Sequence, residues 1–118
     1  MSSREVFAIE DNRDFLEMFD IHLSAAGFQL GFVAETKTKA MEGIATLEAG
    51  RFCAILLDGD LGNNEDSADL IPQIRARDKE VFVIGTSNRG RVPGVDDYLD
   101  KGQVHRVAEI ISRCKRLD

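Results

Sequence analysis

The sequence predicts an α/β protein with a doubly wound parallel sheet, and three observations support this fold class. Short apolar runs, each typical of a buried strand, alternate along the chain with segments whose apolar residues recur at helical spacing. The length of 118 residues corresponds to one domain, which we expect to span residues 1–118. Acidic or hydroxyl residues follow several of the apolar runs, and ligands bind beyond this end of the strands in open α/β sheets.

The first part of the chain contains two predicted strands with a helix between them. Residues 6–9 (VFAI) form the first apolar run and residues 28–34 (FQLGFVA) the second. The helix begins near Asn12 and ends at Gly27, a residue suited to the C-terminal cap of a helix. Its predicted buried face consists of Phe15, Phe19, Leu23 and Ala26.

The remaining elements continue the alternation. A second helix is predicted to begin at Thr36 or Thr38, since either is a suitable N-cap. Three further strands are predicted at residues 53–58 (CAILLD), 81–85 (VFVIG) and 95–99 (VDDYL). The helix that follows the first of these is expected to start close to Leu70, because Pro72 is poorly tolerated inside a helix. The last helix is predicted from the apolar residues Val104, Val107, Ile111 and Cys114.

One element of the pattern is missing between the fourth and fifth strands. Residues 86–95 (TSNRGRVPGV) contain two glycines and one proline and show no helical period. The fourth of the expected helices is therefore predicted to be missing or reduced. In other respects the pattern matches a flavodoxin-like five-stranded parallel sheet with the strand order 2-1-3-4-5.

The composition limits the range of functions. The formal net charge of −6 argues against a nucleic-acid-binding surface. The chain has no run of ~18 apolar residues and no signal-peptide pattern, so we expect no membrane span and a cytoplasmic protein. Cys53 and Cys114 both lie in apolar patterns and are expected to be reduced thiols in the core.

Polar side chains follow four of the predicted strands. Glu10 and Asp11 follow the first, Asp58 ends the third, Thr86 follows the fourth and Lys101 follows the fifth. In the expected order the first and third strands are neighbours, which brings three carboxylates to one crevice. Such carboxylates repel one another unless a cation joins them, and a few hard oxygen ligands with room for water suit Mg²⁺. A carboxylate, a metal, an ammonium and a hydroxyl together suit phosphoryl transfer to an aspartate.

Short motifs at these strand ends resemble those of bacterial response-regulator receiver domains, and the resemblance runs over essentially the whole chain. Residues 7–12 (FAIEDN) resemble the acidic pair after the first strand, and residues 55–61 (ILLDGDL) resemble the phosphoacceptor motif. Residues 84–87 (IGTS) are similar to the strand-4 motif with its hydroxyl, and residues 98–101 (YLDK) to the strand-5 motif with its aromatic residue and lysine. The motifs occur in the family's order, each at the end of the appropriate strand.

The resemblance implies Mg²⁺-dependent phosphorylation, with Asp58 as the phosphoacceptor. Asp11 and Asp58 would bind the metal directly, Asp60 would bind it through its main-chain carbonyl, and Glu10 would bind it through water. The only reactions implied are phosphorylation and dephosphorylation of the protein's own aspartate. We therefore expect a signalling protein rather than an enzyme.

The resemblance also implies a switch and a set of partners. The hydroxyl of Thr86 and the ammonium of Lys101 would contact the phosphoryl group, and Thr86 and Tyr98 would carry the switch. The implied partners are a sensor histidine kinase or a histidine phosphotransfer protein, and a downstream protein target. A stand-alone receiver would pass its signal by protein–protein contact.

The chain departs from the family's pattern at three places. Gly62 stands four residues after the acceptor where the family usually has a proline, Gly102 replaces the proline after the lysine, and the fourth helix is reduced. Since that helix normally belongs to the output surface, a degenerate receiver acting as a binding or adaptor module is an alternative. A second alternative is a haloacid-dehalogenase-like phosphatase, whose Asp-x-Asp motif Asp58 and Asp60 imitate. That motif normally follows the first strand, whereas here it follows the third.

Overall fold

The structure, a computed structural model, describes residues 4–59, 61, 67–87 and 94–114. Its five parallel strands are β1 (Glu5–Ile9), β2 (Gln29–Ala34), β3 (Ala54–Asp58), β4 (Phe82–Ser87) and β5 (Asp97–Asp100). The described α-helices are α1 (Arg13–Ala25), α2 (Lys37–Ala45), α3 (Leu70–Arg77) and α4 (Val107–Ile111), and a 3₁₀ helix at Lys101–Arg106 precedes α4. The strands form one sheet in the order β2-β1-β3-β4-β5, so the predicted fold class and strand order are confirmed.

Helices cover both faces of the sheet. The face that packs against α1 and α4 has a core that includes Val6, Ala8, Phe19, Leu56, Ile84, Leu99 and Val107. The face that packs against α2 and α3 has a core that includes Phe7, Ile9, Ile44, Ile55, Leu57, Ile74 and Val83. Successive side chains of a strand point to opposite faces. The central strands β1 and β3 are buried on both faces, which explains why each is a continuous apolar run in the sequence.

Local side chains set the helix ends. The side chain of Asn12 accepts hydrogen bonds from backbone N–H groups in the first turn of α1, and Gly27 follows that helix with a φ of +86°. Of the two candidate threonines, Thr36 caps α2, because its hydroxyl oxygen accepts a backbone N–H at 3.1 Å. Helix α3 begins at Leu70, as predicted. Pro72 therefore lies in the first turn, where its missing N–H removes no intrahelical hydrogen bond.

Several predicted boundaries are wrong. Strand β4 continues beyond its predicted end at residue 85 to Ser87, because its pairing with β3 extends to Asp58 and Thr86. Strand β5 begins at Asp97 rather than at residue 95. The last helix, predicted as one segment, is a 3₁₀ helix followed by a short α-helix, with non-helical dihedral angles at Gln103.

The buried face of α1 also differs from its prediction. Phe19 and Leu23 are buried as expected, and Leu16 joins them. Ala26, however, is exposed beyond the end of the helix, and Phe15 is only half-buried. The ring of Phe15 contacts the ammonium of Lys101 in addition to the edge of the core.

The connection from β4 to β5 is described only near its end. The predicted shortening of this connection concerns mainly residues 88–93, which lie outside the described residues, and the described part of the chain has no helix between β4 and β5. Gly94, with a φ of +89°, lies against α3. Asp96 fixes the start of β5, since its Oδ2 atom accepts the backbone N–H of Val83 at 2.8 Å and the Arg75 guanidinium at 2.6 Å.

Two further sequence predictions concern the cysteines and the membrane. Cys53 and Cys114 are buried and are not disulfide-bonded, and the Cys114 thiol donates to the Cys53 carbonyl with a sulfur–oxygen distance of 3.0 Å. Among the described helices, none has the length and apolar character needed to cross a membrane.

Candidate functional site

The site lies where rows of buried strand residues on the α1 and α4 face end in polar residues. In β1 the row runs from Val6 and Ala8 to Glu10, and in β3 it runs from Leu56 to Asp58. The corresponding rows in β4 and β5 end in Thr86 and Lys101. Because side chains alternate along a strand, all four polar residues face the same side of the sheet at its carboxyl edge. The apolar pattern that forms the core thus positions the polar site.

Lys101 is the central residue of this group. Its Nζ atom lies 2.8 Å from Oε1 of Glu10 and 3.1 Å from Oδ2 of Asp58. All three side chains are buried, with exposed fractions of 8% for Lys101, 0% for Glu10 and 3% for Asp58. The lysine therefore joins the ends of β1, β3 and β5 through one ammonium group. Removing one partner of such a buried pair is costly, because it leaves an uncompensated charge.

Glu10 has an unusual protonation equilibrium. Its pKa is raised from the ordinary value of 4.5 to about 8, chiefly by burial and also by the nearby Asp58 carboxyl, whereas Lys101 opposes the rise. Its Oε2 atom accepts the backbone N–H of Asn12 at 3.1 Å, and its Oε1 atom lies 2.8 Å from Nζ of Lys101. In the metal-free protein Glu10 therefore binds a proton readily near neutral pH.

The pKa of Lys101 shifts in the direction that keeps the lysine charged. Burial by itself would lower this pKa, but the close contact and charge of Glu10, together with those of Asp58, outweigh burial and raise it. The ammonium is therefore a fixed positive charge at any pH at which Glu10 titrates.

The pH dependence of stability gives a first test of this geometry. We expect the metal-free protein to lose stability as the pH rises from 4.5 to about 8. The folded protein keeps a proton on Glu10 that the unfolded chain has released, so the stabilisation is complete below pH 4.5 and is lost through pH 8. The loss should be on the order of a few kcal/mol. Urea unfolding with a chelator present, repeated across this pH range, measures it.

The matched control is Glu10→Gln, which keeps the shape of the side chain and removes the titration. This variant should show a nearly flat dependence across the same range and should be at least as stable as the wild type at the alkaline end. A slope as steep in Glu10→Gln as in the wild type would assign the pH dependence to another group.

Three carboxylates at this edge are able to hold a metal ion together. One carboxylate oxygen each from Glu10, Asp11 and Asp58 lies within 4.8 Å of the others. Glu10 and Asp58 are buried, whereas Asp11 is exposed, so the cluster has one side open to water. Hard oxygen ligands with room for several waters suit Mg²⁺. The remaining predicted ligand, Asp60, lies outside the described residues.

Thr86 lies beside Asp58 and has a buried hydroxyl. It pairs in register with Asp58 across β3 and β4, and its carbonyl accepts the N–H of Gly59 at 3.2 Å. The hydroxyl oxygen is fully buried and has no hydrogen-bond partner among the described residues. A buried hydroxyl without a partner is unfavourable by roughly 1–3 kcal/mol. A ligand oxygen that accepts from it would remove this penalty.

Tyr98, predicted as a switch residue, is on the opposite face of the sheet. It pairs in register with Gly85, next to Leu99 and Thr86, which belong to the site face. The tyrosine is half-buried. The structure thus separates the predicted switch aromatic from the cluster of Glu10, Asp58 and Lys101.

Two residues contact the site that the sequence pattern did not identify. The hydroxyl of Ser67 is buried and donates a hydrogen bond to the main-chain carbonyl of Asp58, which fixes the start of the loop after β3. The ring of Phe15 lies against the ammonium of Lys101, with Nζ 4.7 Å from the ring centroid. Ser67 gives no signal in the sequence because it stands in a polar loop, and the helical period of Phe15 predicts only a place on the buried face of the helix.

The turn after β5 is built without the proline that is usual in the resembling family. The backbone N–H of Gly102 donates to Oδ1 of Asp100 at 2.8 Å, so the side chain of Asp100 sets the turn at the start of the 3₁₀ helix. Proline lacks this N–H, and the observed hydrogen bond is possible only because the residue is not proline. The glycine at position 102 therefore allows a hydrogen bond that stabilises this turn.

The chain has the fold of response-regulator receiver domains. The receiver domain of a sensor histidine kinase from Pseudomonas aeruginosa, with a magnesium ion in its active-site cleft, gives a TM-score of 0.78 at 21% identity, over 96% of this chain and 98% of that chain. A response regulator from Burkholderia pseudomallei, with a phosphorylated aspartic acid, a calcium ion and citrate, gives 0.76 at 20% identity. A CheY-like receiver domain protein from Methanospirillum hungatei gives 0.73 at 15% identity, over 99% and 100% of the two chains.

These likenesses establish the fold alone, because the identities are low. The comparison with the Burkholderia protein covers 94% of this chain but 66% of that longer one. The sequence matches no protein-family model, and no curated protein matches it. The metal ions and the phosphorylated aspartate are features of the similar proteins, and for this chain such functions depend on the residues of its own site.

Proposed function

We propose that this protein is a phosphoacceptor receiver that takes a phosphoryl group onto Asp58 in the presence of Mg²⁺. One observation carries the proposal. The buried carboxylate of Asp58 ends a central strand 3.1 Å from the Lys101 ammonium and pairs in register with Thr86, whose buried hydroxyl has no partner among the described residues. A nucleophile, a cation and a donor in this arrangement are what phosphoryl transfer to an aspartate requires.

The proposed reaction forms one bond and breaks one. A carboxylate oxygen of Asp58 bonds to the phosphorus of a phosphohistidine, and the phosphorus–nitrogen bond breaks. Its electron pair returns to the imidazole nitrogen, which then takes a proton from solvent. Lys101 compensates the charge of the transferred group, and the Thr86 hydroxyl donates to a phosphoryl oxygen, which gives that buried group a partner.

The residues present fit a hard divalent cation. The proposed direct ligands are Asp58 and Asp11, the latter exposed and able to share the ion with water. Glu10 is buried and in contact with Lys101, which supports a contact through water for this residue. Asp60 is proposed to contribute its main-chain carbonyl. Bound Mg²⁺ would supply positive charge against the negative charge of the phosphoryl oxygens.

The proposed partners follow from this chemistry. A phosphohistidine donor implies a sensor histidine kinase or a histidine phosphotransfer protein, and the output is direct contact with a downstream protein. For the switch we propose Thr86 and Tyr98, which occupy adjacent strands on opposite faces of the sheet. A rearrangement at Thr86 on one face would then reach the other face through β4 and β5.

Uptake of phosphate from a small donor tests the proposal. The protein is incubated with acetyl phosphate and Mg²⁺, and intact-mass spectrometry should show one labile phosphoryl group that is absent when a chelator replaces the metal. In Asp11→Asn we expect uptake at least about tenfold slower, because a direct metal ligand loses its charge. The matched control is Glu17→Gln, which neutralises an exposed acid on α1 and should leave uptake unchanged. No uptake by the wild type, or uptake indifferent to the chelator, contradicts the proposal.

A further inference from the structure

The ammonium of Lys101 makes two different kinds of contact. It lies near the carboxylates of Glu10 and Asp58, at 2.8 and 3.1 Å. It also lies over the ring of Phe15, whose centroid is 4.7 Å from Nζ. A cation within about 6 Å of an aromatic ring centroid is attracted by the negative face of the ring, and the attraction is larger when water is excluded. Lys101 is buried, so water competes little with this contact.

The position of Phe15 suits this role better than it suits the core. The residues that fill the interior beneath α1 are Leu16, Phe19 and Leu23, all buried. Phe15 lies in the first turn of the helix, is only half-buried and packs at the edge of that core. Its ring therefore lies at the edge of the core and in contact with the lysine ammonium.

The carboxylates alone would hold the ammonium in place only weakly during the proposed reaction. Glu10 and Asp58 also belong to the candidate metal cluster, so a cation there competes with Lys101 for their charge. The Phe15 ring carries no charge and takes no part in that cluster. A cation bound by the carboxylates would therefore not compete with the ring for the ammonium.

We propose that Phe15 is a positioning residue that holds the Lys101 ammonium aimed at Asp58 and at the phosphoryl group it receives. This inference rests on the proposed function and assigns Phe15 a role that acts through Lys101. When the carboxylates bind the metal, the ring keeps the lysine ammonium close to Asp58. The backbone turn set by Asp100 and Gly102 fixes the other end of the same side chain.

The test separates metal binding from anion binding. Beryllofluoride serves as the phosphoryl probe, and its affinity is measured at saturating Mg²⁺ for wild type, Phe15→Leu and Phe15→Tyr. Phe15→Leu should bind Mg²⁺ alone as the wild type does, but should bind beryllofluoride about tenfold more weakly. Phe15→Tyr keeps an aromatic face and should restore the affinity to within about threefold of the wild type. Phe15→Met is measured in parallel, so that a leucine variant that fails to fold does not remove the comparison.

A double-mutant cycle with Lys101→Met identifies the cause. If Phe15 acts through the lysine, Phe15→Leu should cause no further loss of beryllofluoride affinity when Lys101 is already replaced. Equal beryllofluoride affinity in wild type and Phe15→Leu overturns the role of Phe15 and leaves the proposed function intact. Equal losses with and without Lys101 also overturn it, since the effect would then be structural. A wild type that binds no beryllofluoride overturns the proposed function and this inference together.

Discussion

The Asp58→Asn variant should take up no phosphoryl group from acetyl phosphate or from a phosphohistidine donor. Asparagine keeps the size of the side chain but replaces the carboxylate nucleophile by an amide, which is far less nucleophilic. Glu10 and Asp58 are both buried acids in contact with Lys101, but among the described acids only Asp58 also pairs in register with Thr86. We expect the mass of the variant to remain that of the unmodified chain at times when the wild type is fully labelled.

The matched control is Asp69→Asn, which changes an exposed acid on the same β3–α3 connection. Asp69 pairs with Lys37 on the surface, and its loss should not alter phosphate uptake. A labile phosphate that persists in Asp58→Asn would move the nucleophile to another acid of the site, such as Asp60 or Asp11.

The stability of Asp58→Asn adds a second readout. Without metal it should not be much lower than that of the wild type, because the change also removes the repulsion between Glu10 and Asp58.

The fold was predictable because the sheet leaves a clear pattern in the sequence. Strands β1 and β3 are buried on both faces and so are continuous apolar runs, and Gly27 marks the end of α1 with a φ that glycine adopts easily. The polar residues that end these runs were identified as site candidates for the same reason. The structure brings Glu10, Asp11 and Asp58 together, although their roles remain predictions.

The parts that the sequence did not predict depend on tertiary contacts. Phe15 was assigned to the buried face of α1 by helical periodicity, and periodicity cannot show that its ring lies against a lysine from the far end of the chain. In the sequence Ser67 is only a polar residue in a loop. Its hydrogen bond to the main-chain carbonyl of Asp58 forms only when the loop packs against β3. The final helix follows a helical period in its apolar residues, but the turn set by Asp100 tightens its first part into a 3₁₀ helix.

The Lys101→Met variant should be strongly destabilised in the absence of metal, and the loss should grow with pH. Methionine keeps much of the length and apolar stem but removes the charge that joins Glu10 and Asp58. Breaking a buried ion pair on one side costs about 3–5 kcal/mol when the remaining charge stays buried. Glu10 can avoid this cost by binding a proton, and the pKa of Glu10 should rise further once Lys101 no longer opposes the rise. The full loss is therefore expected only at pH values above about 8.

The matched control is Lys79→Met, which removes an exposed lysine near the end of α3 and should change the free energy of unfolding by less than about 0.5 kcal/mol.

Saturating Mg²⁺ should recover part of the stability of Lys101→Met, because a cation shared by Glu10, Asp11 and Asp58 again compensates the buried charges. The recovery should be greatest at alkaline pH, where Glu10 no longer carries a proton of its own. Urea unfolding at several pH values, with Mg²⁺ or with a chelator, measures both effects. A variant as stable as the wild type under alkaline, metal-free conditions would show that Lys101 does not hold the strand ends together. A loss that Mg²⁺ leaves unchanged would instead count against a metal shared by these three carboxylates.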